Sequence, residues 1–105
     1  MNIADLTVTD TQAASTTALA TIAGVANKSY RVTGFDGCSN DQSFKVELQF
    51  GSTTKLTMQG SADTTVGRDF SRGLIAAIGE SVTVLTTPAA TGNCTANLIY
   101  EITLI

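Results

Sequence analysis

The segment Ser43–Phe50 constrains this chain more than any other, because Phe44, Val46, Leu48 and Phe50 alternate with Lys45, Glu47 and Gln49. A period of two sends successive side chains to opposite faces of a pleated strand, so this segment reads as a strand with one face in a core and one in water. Gly51-Ser52 then turns the chain into Thr53–Gln59, where Leu56 and Met58 point inward. The two segments are predicted to pair as a hairpin whose register the short turn sets.

Similar segments recur at the 8–12-residue spacing of a sandwich or barrel. Thr17–Val25 and Ser29–Phe35 read as strands, and Asp36–Asp41 as the loop after them. The polar stretch Gly60–Asp69, with two glycines, reads as a long loop. Phe70–Ile78 is taken as a strand because the six residues from Gly73 are too few for a stable helix. Glu80–Thr87 ends at Pro88, which has no N–H to give to a ladder. Cys94–Ile105 is the longest strand, with Cys94, Ala96, Leu98, Tyr100, Ile102 and Leu104 on one face. On its polar face Ile99 and Ile105 are either isolated apolar residues or a subunit contact. The expected fold is all-β, an antiparallel sandwich of about seven or eight strands over 17–105. The Thr/Ala/Ser-rich residues 1–16 read as an extended arm or first strand. Eighteen threonines favour pleated surfaces, and thirteen alanines imply a thin core supplemented by association between copies.

Composition removes whole classes of function. The chain has no histidine, so the commonest general base, the commonest metal ligand and the Ser–His triad are missing. Nothing selects a catalytic pair among the nine acids, and the chain is read as no enzyme, with no cofactor. A net charge of −3 and six dispersed basic residues oppose binding to nucleic acid or to an anionic membrane. The N-terminus has neither a basic nor an apolar leader region, so synthesis in the cytoplasm is expected. Asp36, Asn40 and Asp41 are oxygen ligands of the kind calcium takes. Their spacing misses the EF-hand loop, and a polar turn accounts for the same residues, so no metal site is assigned. If the strands from Ser29 onward alternate in direction, Cys38 and Cys94 fall at one end of the sandwich. There they either close a disulfide or remain free thiols, one of them an ordinary core residue.

Two stretches carry a family resemblance. Gly79-Glu80-Ser81-Val82-Thr83-Val84 with Pro88 to Ile102 resembles the C-terminal strand pair of small virion proteins of tailed bacteriophages, and Thr21 to Asp36 is similar to the strands at their start. The resemblance covers about half the chain. It implies a jelly-roll-like sandwich that forms a homotrimer on the capsid surface of the virion, bound to the major capsid protein as a decoration or cement protein. The arm, through Asn2, Ile3, Leu6, Val8 and Thr11, and the charged Arg68, Asp69 and Arg72 are then the expected subunit or capsid contacts. The alternatives are a tail, baseplate or fibre-associated sandwich, including a receptor-binding head, and a glycan-binding module. Exposed aromatic rings would support the last of these.

Overall fold

A computed structural model describes residues 2–13, 16–89 and 92–104. Eight strands account for most of them: β1 (Asn2–Gln12), β2 (Ala18–Ile22), β3 (Lys28–Ser39), β4 (Ser43–Phe50), β5 (Thr53–Ser61), β6 (Thr64–Ile75), β7 (Val82–Pro88) and β8 (Cys94–Leu104). They form two four-stranded sheets, β1-β8-β3-β6 and β2-β7-β4-β5, and every pairing is antiparallel. The innermost hairpin is β4–β5. Around it β3 pairs with β6, then β2 with β7, then β1 with β8, so the chain is one doubled-back ribbon rolled into two layers. This is the jelly roll, and the all-β sandwich expectation holds. Its Cα radius of gyration is 13.5 Å.

The core lies between the sheets and is built by alternation. On β4, Phe44, Val46, Leu48 and Phe50 are buried as the sequence pattern requires. On β8, Cys94, Ala96, Leu98 and Tyr100 face the same interior, as do Ala18 and Ala20 of β2 and Val82 and Val84 of β7. Tyr30 and Tyr100 close one end of the core edge to face, with centroids 5.9 Å apart. The Tyr30 hydroxyl donates to the Ala23 carbonyl at 2.8 Å, which satisfies the buried polar tip. Burial, and then the neighbouring Tyr30, push the Tyr100 phenol above its ordinary pKa.

Two expectations change and one is resolved. Residues 2–12, read as an extended arm or first strand, form strand β1, paired with β8 from Asn2↔Thr103 to Gln12↔Cys94. The reason is that Leu6 and Val8 alternate with Thr7 and Thr9, and they pack against the core. The loop expected at Gly60–Asp69 is the end of β5, a two-residue turn at Ala62-Asp63 and the start of β6. Asp63 takes φ of 62°, and Thr64 Oγ1 donates to the Ser61 carbonyl at 2.6 Å to close the turn. Likewise β3 runs on to Ser39 through the expected loop at Asp36. The glycines that read as turn signals here serve close approach instead. A Cβ on Gly60 would lie 2.4 Å from the Phe44 ring, and one on Gly67 would lie 2.2 Å from the Phe35 carbonyl oxygen. Ile105 lies outside the described residues.

Candidate functional site

The pleat that buries one face of β3 and β8 exposes the other. On the outer face of the first sheet, Asp36 pairs with Asn97 of β8 and Gly67 of β6, while Gly34 pairs with Ile99 and Asp69. Thr9 of β1 lies opposite Asn97. These side chains are bonded in a line across three strands: Thr9 Oγ1 donates to Asn97 Oδ1 at 2.7 Å, and Asn97 Nδ2 donates to Asp36 Oδ1 at 2.6 Å. One carboxylate oxygen of Asp36 is thereby committed and its orientation is set. Beside it lies a hollow of about 230 Å³ lined by Phe35, Asp36, Gly67, Arg68 and Asp69.

One register step further toward the loops, Cys38 pairs with Thr65 and Thr95. A second hollow of about 310 Å³ opens there, lined by Cys38, Ser39, Asn40, Asp63, Thr65, Asn93 and Thr95. Its rim is held by Asn40 and Asn93: the Asn93 N–H donates to Asn40 Oδ1 at 2.8 Å, and the Asn40 N–H donates to the Asn93 carbonyl at 3.3 Å. Together the two hollows make a polar strip of hydroxyl, amide and carboxylate groups along β3. Such a surface can exchange hydrogen bonds with a hydroxyl-rich ligand.

The two cysteines do fall at the same end, yet on opposite faces of the sheet. Cys94 is buried, with its thiol 3.6 Å from Ser39 Oγ, whereas Cys38 alternates to the outside. Both thiols are free, and the pleat rather than distance along the chain keeps them apart. Asp36, Asn40 and Asp41 are likewise separated. Asp36 lies on the sheet face, and Asp41 Oδ1 accepts from the Gln42 N–H at 2.7 Å within the turn. Among the described residues no group of three metal-ligating carboxylates and thiols comes together.

The expected contact residues are not gathered either. Leu6 and Val8 turn inward, while Thr11 is exposed and its hydroxyl lies 3.4 Å from that of Thr95. Asn2 and Ile3 pair with Thr103 and Ile102. Arg68, Asp69 and Arg72 lie at the opposite edge of that sheet, on β6. Arg68 stands 5.5 Å from the Phe70 ring. Thr9 and Asn97 were not singled out by the sequence. The signal for Asn97 was the run of polar residues on the outer face of the last strand, and that for Thr9 the alternation of threonine with Leu6 and Val8 on the first.

Asp10 ties the two sheets together beside this surface. Its Oδ2 accepts from the Leu19 N–H of β2 at 2.8 Å, and both carboxylate oxygens accept from Gln12 Nε2 at 3.1 Å. These bonds, the Leu19 one foremost, hold the carboxyl below its ordinary pKa. A depressed folded-state pKa contributes stability above the unfolded value, which is lost as pH falls through the folded one. The melting temperature is therefore expected to exceed that of Asp10→Asn at pH 6, with the difference shrinking below about pH 4. Thermal melts across pH check this, and a difference that persists unchanged at pH 2 would contradict it.

No family model matches the chain, and no curated protein matches it. Solved structures similar to it include two that each align at a TM-score of 0.43. One is the CBM36-1 domain of a multidomain xylanase from the hindgut metagenome of Trinervitermes trinervoides, at 21% identity over 82% of this chain and 68% of that one. The other is a carbohydrate-binding module CBM36 in complex with calcium and xylotriose, at 16% identity over 85% of this chain and 72% of that one. Both are carbohydrate-binding modules and neither is a virion protein. On that finding the expectation of a bacteriophage capsid decoration protein is corrected. Residues 2–12, expected to supply its contacts as an arm, are a paired strand of the chain's own sheet.

Proposed function

We propose that this chain is a non-catalytic glycan-binding module that reads sugar hydroxyls with the outer face of the β1-β8-β3-β6 sheet. The observation that carries the reading is the Thr9–Asn97–Asp36 line of hydrogen bonds beside the hollow at Gly67. Groups already oriented by their neighbours lose little freedom when a ligand arrives. The free oxygen of Asp36 and the hydroxyls of Thr65 and Thr95 then supply the acceptors and donors a sugar requires.

The reading also fixes the strength of binding. All six aromatic rings belong to residues that are buried or half-buried, so no exposed ring offers a stacking platform. Recognition by hydrogen bonds alone, in competition with water, gives weak association, with Kd on the order of 0.1–1 mM. Affinity electrophoresis through gels containing neutral polysaccharides is the direct measurement. Retardation by at least one neutral glycan is expected. Asn97→Ala, which removes the link between Thr9 and Asp36, is expected to weaken it by about tenfold, the worth of one hydrogen bond to a charged group. Unretarded migration through every polysaccharide gel, or an Asn97→Ala variant that binds like the parent, would sink the proposal.

A further inference from the structure

The two hollows on the outer face of the first sheet follow one another along a single line. Both sit on the seam between β3 and β6, the first around the Asp36↔Gly67 pair and the second around Cys38↔Thr65. These are successive outward-facing pairs, and no outward side chain stands between them, because Gly37 and Val66 are turned toward the core. The bonded Asn97–Asp36 pair stands on the β8 side of the first hollow, so the way onward from that hollow is along the seam. From Gly34, opposite Asp69, to Asn40 at the far rim, the seam runs about 20 Å at the rise of an antiparallel strand, well beyond the reach of one sugar ring.

Charge along this seam is mainly negative. Asp36 and Asp69 line the first hollow and Asp63 the second. The Asp69 carboxylate leans over Gly34, where a Cβ would lie 2.7 Å from its Oδ1. Among the described lining residues the one cation is Arg68, whose guanidinium is drawn over the Phe70 ring at the sheet edge. Ionised carboxylates only accept hydrogen bonds, so they require donors from whatever lies on them and repel a further anion. Sugar hydroxyls supply such donors, whereas a uronate or sulfate group adds like charge.

On the glycan-binding reading of this face, we infer that its ligand class is the extended, uncharged polysaccharide chain, held along its length parallel to β3 with different sugar units in the two hollows. A single sugar fills one hollow, and the first is favoured because Asn97 has already oriented Asp36 there. Lengthening the ligand along the seam brings in Thr65 and the second hollow.

Titration of the full chain with neutral gluco-, manno- and xylo-oligosaccharides, from monosaccharide to hexasaccharide, tests this by NMR shifts of the backbone amides. The best hexasaccharide is expected to bind about thirtyfold more tightly than its monosaccharide, the worth of two further hydrogen bonds and more than the several equivalent frames within a hexasaccharide provide. Alkylation by iodoacetamide gives a second readout on the unaltered chain, because Cys38 lines the second hollow and buried Cys94 serves as the internal control. Saturating hexasaccharide is expected to slow alkylation of Cys38 severalfold, and the monosaccharide to slow it far less. A gel of polygalacturonate, a uronic acid polymer, is expected not to retard the chain. Equal affinity for monosaccharide and hexasaccharide, a Cys38 left unprotected by bound hexasaccharide, or retardation by polygalacturonate as strong as by a neutral glycan would each overturn the inference while glycan binding itself stands. No binding to any oligosaccharide or gel would remove glycan binding, and this inference with it.

Discussion

Replacing Phe35 by alanine is expected to lower the unfolding free energy by about 3–5 kcal/mol, the range for deleting a buried phenylalanine. Phe35 is 2% exposed, sits on β3 in the interior of its sheet, and stacks on Phe70 with centroids 6.0 Å apart. Much of the remaining core is alanine and valine, which cannot reach into the space the ring would leave. A domain of this size holds only about 5–15 kcal/mol in total, so the variant is left marginal or unfolded at 25 °C. Urea titration is the measurement, and the midpoint is expected to fall by roughly 3–5 M at a slope near 1 kcal/mol/M. Phe70→Ala, at the half-buried edge, should cost distinctly less. Equal shifts for the two variants would contradict the assignment of Phe35 to the centre of the core.

The second large effect is expected at Gly37. This residue faces inward against the second sheet, and a Cβ there would lie 2.2 Å from Thr86 Oγ1 and 2.8 Å from Val46 Cγ2. Thr86 cannot easily yield, because it is fully buried and its hydroxyl donates to the Thr95 carbonyl at 2.9 Å. Overpacking of this kind costs about 1–3 kcal/mol for a methyl group, and Gly37→Val should exceed that range. A double-mutant cycle separates the cause from a general intolerance of side chains on β3. Thr86→Ala removes the blocking oxygen, so Gly37→Ala in that background should cost less than it does alone. Strict additivity would show that Thr86 is not what excludes the side chain.

Gly37 also shows how far the sequence could be read. Strands whose two faces differ in polarity were legible: β4 and β8 alternate so plainly that their buried residues follow from the pattern. The three glycines at 37, 60 and 67 were not. In a sequence a glycine signals a turn, because turns are where its freedom is most often used. Here each is needed for close approach, by Thr86, by the Phe44 ring, and by Asp36 with the Phe35 carbonyl, and those partners are distant in the chain. Reading them as turns cut β3 short and turned the start of β6 into a loop. The same misreading hid the candidate site, because Asp36 was placed in a loop when it stands on the face of a strand between Asn97 and Gly67.

Local chemistry by itself determined that this chain would be an all-β sandwich, which residues of its clearest strands would enter the core, and that no histidine-based catalysis was open to it. Those properties depend on the alternation of neighbouring residues and on the presence or absence of a side-chain type, and both are written along the chain. Only the tertiary structure decided that residues 2–12 pair with the last strand, that Cys38 and Cys94 are turned to opposite faces, and that Thr9, Asn97 and Asp36 meet in one line. Each of these depends on register between segments far apart in sequence. A one-residue slip in register reverses every side chain it touches.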